Sequence, residues 1–309
     1  KADNQRGVSG CNPSWYKKIY EMEVKLSIGI VNYNSLDYVK KLLDSIKRNP
    51  PSVPYEIIIL DNASVDGSVE FLKKEKGIKK ILLRENSGFS HGCNLIGKRA
   101  RGKYLLFLNP DVVVTPKALD KLVEFMEKNP QCGVAGGKLL NFDGSLQLSC
   151  RMFPTYLNVM FGRESLFRKF VPHNPFSRRY MLYDLDYSKN QIVDWLRGAV
   201  FITPRWLFDE LGGFDERFFL FLEDTDYCRR VWLRGLKVCY VADAVFYHRL
   251  GGSTRKKPIK NRMIHNYSMY KYFLKWSDGS MSTEFLLGEA LLLRIMMLIL
   301  GKIVESIRE

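Results

Sequence analysis

Two consecutive stretches, KLSIGIVNYN (residues 25–34) and SLDYVKKLLDSIKRN (35–49), decide how the chain is read. The first is a nearly unbroken apolar run that ends in polar residues, the pattern of a strand buried on both faces. In the second, Leu36, Val39, Leu42, Leu43 and Ile46 recur at helical spacing. Ser35 stands at the N-cap position, and PPSVP (50–54) stops the helix.

The alternation then repeats. YEIIILDNAS (55–64), KKILLRENSG (79–88) and KYLLFLNPD (103–111) read as strands. DGSVEFLKKEKG (66–77), a segment through HGCNLIGKRARG (91–102) and TPKALDKLVEFMEKNP (115–130) read as helices. Such alternation predicts an α/β fold with a mostly parallel sheet flanked by helices. Its ligand is expected at the carboxyl ends of the strands, where the polar residues sit.

Beyond about residue 132 the pattern changes. GVAGGKLLNFDGSLQLSC (133–150) reads as strands around a turn at Asp143-Gly144, and IVDWLRGAVFITPRWLFDELGGFDERFF (192–219) returns to strand, helix and turn. LKVCYVADAVFYHRLGG (236–252) is a late strand, and EDTDYCRRVWLRG (223–235) is helical. Residues 151–190 are aromatic and basic with weak periodicity, as in a loop over a site. The expected organisation is an N-terminal extension over 1–21, native or added, then a domain over 22–276. That domain divides into a regularly alternating half (22–131) and a less regular half (132–276), and a C-terminal apolar helix follows over 277–309.

The 309 residues carry a formal charge of +15, which implies acidic partners: nucleic acid, anionic lipid or phosphorylated substrates. No nucleic-acid motif accompanies the charge, and acids line the expected ligand edge, so no nucleic-acid partner is expected, and a basic nucleic-acid-binding protein stands only as the alternative of another class. Six scattered cysteines form no CxxC pair, which fits buried small residues in a reducing cytosol better than zinc or a disulfide framework. No apolar h-region marks the start. No GxGxxG or GxxxxGK[ST] loop follows the first strand, which argues against a dinucleotide-dependent dehydrogenase and a P-loop enzyme. Without a glycine cradle, phosphate charge is best met by a divalent metal on a carboxylate together with Arg and Lys.

In chain order, VNYN (31–34), DNASVDGS (61–68), ENSGFSHGCN (85–94), LNPD (108–111), GGFDERFFLFLEDTDYCRR (212–230) and FYHRLGGSTR (246–255) resemble the motifs of family 2 glycosyltransferases of the GT-A fold. The likeness is strongest to the rhamnosyltransferase-like branch of bacterial O-antigen and cell-wall enzymes and covers roughly residues 24–275. It implies an inverting, metal-dependent transfer of a sugar to a glycan hydroxyl, L-rhamnose from dTDP-rhamnose in that branch, with a galactofuranosyl- or hexosaminyltransferase of the same fold as the alternative, and it makes 22–131 the nucleotide-binding half and 132–276 the acceptor-binding and catalytic half. The implied acceptor is polyprenyl-linked. By the resemblance, Tyr33, Asn34, Asp61, Asn62, Asn86 and Asn94 contact the nucleotide, and Asp111 and His248 hold Mn2+ or Mg2+. Arg255 and Lys256 neutralise the diphosphate, Asp224 is the general base, and Trp195, Gly198, Glu223 and Asp226 lie at the acceptor. The family's Asp-any-Asp motif stands here as Asn109-Pro110-Asp111, which shifts weight onto Asp111 and His248.

Plainer readings exist for several of these residues. Acids at a helix N-terminus gain about 0.3–1 kcal/mol each from the macrodipole, which accounts for Glu223 and Asp226. Asp61 and Asp66 suit an Asx-turn or a helix cap, and Asp66 is expected to do just that. Glu223 and Asp226 are also placed to raise the pKa of Asp224 by like-charge repulsion.

FLLGEALLLRIMMLILGKIV (285–304) is the most apolar stretch, interrupted by Glu289 and Arg294. That favours an in-plane or dimer-forming helix over a lipid-exposed span. The segment from Arg249 to Trp276 has seven Lys and Arg after Arg249 and no acid. It suits the anionic inner face of a cell membrane, with a cytoplasmic, peripheral location.

Overall fold

The structure, a computed structural model, describes residues 24–155, 175–249, 251, 258–276 and 288–289. The N-terminal extension, Arg255, Lys256 and nearly all of the C-terminal apolar stretch lie outside the described residues.

Strands β1 (Leu26–Asn32), β2 (Tyr55–Asp61), β3 (Lys79–Leu82) and β4 (Tyr104–Leu108) pair in parallel in the order β3-β2-β1-β4. Next to β4 lies β11 (Val200–Pro204), antiparallel, followed by β6 (Cys132–Leu140), β12 (Lys237–His248) and β5 (Val112–Val114). β6 and β12 are parallel to each other, and β5 closes the edge antiparallel to β12, with His248 opposite Val112. β7 (Leu146–Gln147) adds to β6 and β9 (Gln191–Ile192) to β12, while β8 (Cys150–Arg151) and β10 (Trp195–Leu196) form a separate two-stranded ribbon. β5 has no counterpart in the sequence reading, because three residues are too few to show a period.

Helices cover both faces, as the continuous apolar strands require. Ile57 and Ile59 face a core shared with α1 (Leu36–Arg48), α2 (Ser68–Lys74) and α4 (Ala118–Lys128). Ile58 and Leu60 face the other core, with α3 (Phe89–Arg99), α6 (Arg205–Glu210) and α7 (Glu223–Leu233). A short helix α5 (Pro175–Met181) lies within the expected loop over 151–190, of which residues 156–174 are outside the described set.

Ser35 holds the expected N-cap position of α1, but its side chain does not cap the helix. Its hydroxyl donates to the Tyr33 carbonyl at 3.0 Å, and Asp66 Oδ2 instead accepts the Leu36 N–H at 2.9 Å. The other oxygen of Asp66 accepts from the N–H and hydroxyl of Ser68 at the start of α2. One carboxylate therefore caps two helices.

The basic segment ends in a helix, α8 (Pro258–Trp276). Its Met269, Tyr272 and Phe273 pack on Phe218 and Leu222 in a third apolar cluster, each burial worth about 1.5–3 kcal/mol. This long helix therefore rests on the segment that leads into α7.

Candidate active site

The carboxyl ends of β1 and β2 meet in a bonded set. Asp61 is fully buried; Oδ2 accepts from Asn32 Nδ2 at 2.8 Å and Oδ1 from the Ser64 N–H at 2.8 Å. Asn62 donates from Nδ2 to the Gly88 carbonyl and accepts the Ser87 N–H, and Asn86 Oδ1 accepts the Gly88 N–H. Asn34, at positive φ, accepts the Val65 N–H on its side chain. Tyr33 is exposed at the rim. The polar residues read as nucleotide contacts thus fix the loops 62–66 and 86–88, and the open ring is that of Tyr33. Asn94 is different. Its amide is spent on the Phe214 backbone and on Glu216 Oε1 at 2.9 Å, so it clamps α3 to the GGFDE turn.

On the far side of β4, Asp111 and His248 are both buried, with Asp111 Oδ1 3.4 Å from His248 Nε2. Asp111 Oδ1 has no hydrogen-bond partner. The Arg249 N–H donates to the Asp111 carbonyl, and the β5–β12 pairing fixes the same register. A buried carboxylate oxygen without a donor, facing an imidazole nitrogen, fits a divalent cation. Among the described residues no third His, Cys, Asp or Glu joins them. Sequence reasoning missed Gln147, which lies behind the ring and bonds it at Nδ1. The two are paired across 101 residues, and no local pattern carries that.

The segment before α7 turns sharply, with Phe221 at φ 69° and Leu222 at φ 68°. Bulky residues hold such dihedrals only where the surroundings enforce them. Here α3 supplies one side: the Phe89 N–H donates to the Phe219 carbonyl at 2.7 Å and the Ser90 hydroxyl to the Phe218 carbonyl at 2.5 Å. α8 supplies the other: the Ser268 hydroxyl donates to the Leu220 carbonyl and Lys271 to the Arg217 carbonyl.

The turn delivers three acids into the first turn of α7, each in a different environment. Asp224 is partly open; Oδ2 accepts the Gly198 N–H at 2.8 Å, and Oδ1 accepts from the N–H and hydroxyl of Thr225. Burial raises its pKa against the lowering effect of those donors. Glu223 is buried with Oε2 unpartnered, and burial, then the charges of Asp224 and Asp226, push its pKa well above the usual carboxylate range. Asp226 is fully buried and paired with Arg230 at 2.9 Å, Lys275 at 2.6 Å and Trp276 Nε1 at 3.0 Å. Two expectations change. The like-charge repulsion falls on Glu223, so that Asp224 owes its rise to burial, and Asp226 has both oxygens committed to protein partners and ties α7 to α8.

Two hydrogen bonds bring the strand end and the acid together. The Asn109 N–H donates to the Ala199 carbonyl at 3.0 Å, and the next residue back, Gly198, donates to Asp224. A Cβ at Gly198 would sit 3.3 Å from the Asp224 side chain, so only glycine gives this contact without a shift. Trp195, half-buried, donates from Nε1 to the Met152 carbonyl and stiffens the ribbon that leads to Gly198. Arg255 and Lys256 lie outside the described residues.

Residues 27–188 match the family described as Glycosyl transferase family 2. The chain belongs to glycosyltransferase family 2. Among this family 2 glycosyltransferase's relatives is the N-acetylglucosaminyl-diphospho-decaprenol L-rhamnosyltransferase of Mycobacterium tuberculosis. It is 26% identical over 266 residues, 82% of this chain and 85% of the relative. Rhamnosyltransferase WbbL of Escherichia coli is 25% identical, over 80% of this chain and 91% of WbbL. Residues 1–349 of TarS from S. aureus, in their crystal structure, match with a TM-score of 0.52 at 18% identity, over 88% of this chain and 71% of that one. The mannosyltransferase PcManGT of Pyrobaculum calidifontis, solved with GDP-Man and Mn2+, matches with a TM-score of 0.53 at 17% identity, over 81% of this chain and 63% of that one. The fold is therefore GT-A, and the family 2 enzyme is a glycosyltransferase of rhamnosyltransferase-like sequence.

Proposed function

We propose that this family 2 enzyme transfers a sugar, with inversion, from a nucleoside diphosphate donor to a hydroxyl of a lipid-linked glycan. The rhamnosyltransferase names of two relatives favour L-rhamnose as the sugar, and the motif resemblance favours dTDP-rhamnose as its donor. The observation that carries the reading is the double tether Asn109–Ala199 and Gly198–Asp224, which joins the strand end bearing Asp111 to a partly open carboxylate.

Asp224 accepts the proton of the acceptor hydroxyl as that oxygen attacks the anomeric carbon from the face opposite the diphosphate. A single displacement inverts the configuration. Gly198 and Thr225 aim the carboxylate, and burial lifts its pKa toward that of a useful base. Asp111 and His248 would hold Mn2+ or Mg2+, which would supply positive charge against that building on the departing diphosphate. Arg255 and Lys256 add to that charge, and Tyr33 stacks on the base of the nucleotide.

The acceptor is met at an anionic membrane surface. Among the described residues no helix is long and apolar enough to cross a bilayer. α8 exposes Ile259, Met263 and Tyr267 at four-residue spacing beside Lys260, Arg262 and Lys271, with no acid along the helix. An apolar stripe flanked by cations suits an anionic interface. Flotation with anionic vesicles at low salt tests this; a full-length dimer that ignores vesicles would assign the C-terminal region to self-association.

The function is tested with a panel of nucleotide-sugars, with and without Mn2+, scored for donor hydrolysis and transfer to a polyprenyl-diphosphate sugar. The expected result is turnover of dTDP-rhamnose that chelator abolishes. Turnover of another donor alone replaces rhamnose, and equal turnover with chelator removes the cation.

A further inference from the structure

We propose that Gln147 is a positioning residue that fixes His248 as the Nδ1–H tautomer, so that Nε2 faces Asp111 as a lone pair ready for a cation. The inference rests on the reading of Asp111 and His248 as metal ligands and extends it to a residue outside that pair.

Gln147 is buried, at 5% exposure, and its amide has no freedom of orientation. Nε2 donates to the His248 carbonyl at 2.6 Å and to Asn141 Oδ1 at 2.7 Å, which uses both amide hydrogens on acceptors. Oε1 therefore faces the ring and lies 2.8 Å from His248 Nδ1. An amide oxygen only accepts, so the hydrogen in that contact belongs to Nδ1. The neutral ring so held has its lone pair on Nε2, 3.4 Å from Asp111 Oδ1, which has no donor of its own. Two acceptors facing each other in a buried place form a ligand pair in need of a cation.

The hold on Gln147 extends outward. Asn141 Nδ2 donates to the Ser145 hydroxyl, and Asp143 Oδ1 accepts from the N–H and hydroxyl of Ser145. Gly144, at φ 82°, closes this turn, and β7 pairs Gln147 with Leu139 of β6. The hairpin over 139–147 thus orients the ring of a residue at the end of β12. Ligating histidines are commonly fixed in this way by an acceptor on the other nitrogen, and loss of that acceptor costs about 10–100-fold in metal affinity.

The test uses the full chain, 15N-labelled and metal-free at pH 8, with long-range 1H–15N correlation of the imidazole nitrogens. The chain has four histidines, and His248→Asn assigns the one in question. The expected wild-type result is a proton on Nδ1 alone. Gln147→Leu should move the proton to Nε2 or mix the tautomers. It should also weaken Mn2+ binding in the presence of dTDP by about 10–100-fold, read by electron paramagnetic resonance. A proton on Nε2 in the wild type, or an unchanged tautomer in a folded Gln147→Leu protein, would overturn the proposal. A wild-type ring with Nδ1–H that binds no Mn2+ instead overturns the cation reading and leaves the hold on the ring standing.

Discussion

The proposed nucleotide side and the proposed base side of the site secure their polar groups in opposite ways. On the first, Asp61, Asn62 and Asp66 are each bonded at both polar atoms to adjoining loops; Asn32 Oδ1 is the unpartnered exception. On the second, Asp111 Oδ1 and Glu223 Oε2 are buried without partners, and Phe221 and Leu222 stand at positive φ. The nucleotide side is finished by its own loops. The base side is held in place by α3 and α8, elements distant in sequence, and it keeps polar atoms in reserve. Rigidity suffices where a ligand is only gripped, whereas a site that moves a proton and holds a cation must leave acceptors unspent.

This contrast predicts graded losses. Asp226→Ala strips the partner from Arg230, Lys275 and Trp276 in a buried place, and should destabilise by about 3–5 kcal/mol in denaturant titration. A loss no larger than that of a surface pair would mean that α8 is not what holds the base segment. Next comes Gly88, at φ 93° and ψ 169°, where a Cβ would lie 2.7 Å from the Phe219 carbonyl oxygen. Gly88→Ala should cost about 1–3 kcal/mol and lower turnover as the base segment shifts. Unchanged turnover in a folded Gly88→Ala protein would show that the two sides are not mechanically joined there. Asp66→Ala removes two helix caps on the nucleotide side and should cost about 1–2 kcal/mol with little change in turnover. If it reduced turnover as much as Gly88→Ala does, the contrast between the sides would fail.

The smallest effect is in the pH dependence of stability. Because the Glu223 pKa is raised, the folded state keeps a proton that the unfolded chain releases. Stability from this group is full below the ordinary Glu value of about 4.3 and declines as pH rises toward the folded value. Asp224 contributes in the same direction. Glu223→Gln keeps the hydrogen-bonding shape of the protonated acid and should flatten part of that decline, in melts taken between pH 5 and 9. A slope equal to wild type would mean that Glu223 is ionised in the fold.

The parallel half was legible because its strands are continuous apolar runs and its helices carry clear stripes, so β1 to β4 and α1 to α4 follow from local pattern. The carboxylates at the strand ends were legible by position alone. The roles of Asn94 and Asp226 were not. Both look like site residues in sequence, and both are consumed by partners far away, Phe214 and Glu216 for one and Lys275 and Trp276 for the other. β5 was too short to show a period, and Ser35 lost its cap to a carboxylate 31 positions on, since register across loops is not written locally. Gln147 carries no signal except its partner at residue 248.

Asp224 is proposed as the group that takes the proton. The direct measurement is single-turnover transfer by Asp224→Asn beside calorimetry of donor binding to the same protein. The expected result is donor affinity within a few-fold of wild type and a transfer rate lower by roughly 10²–10⁴-fold. A folded Asp224→Asn protein that transfers sugar at close to the wild-type rate would contradict it.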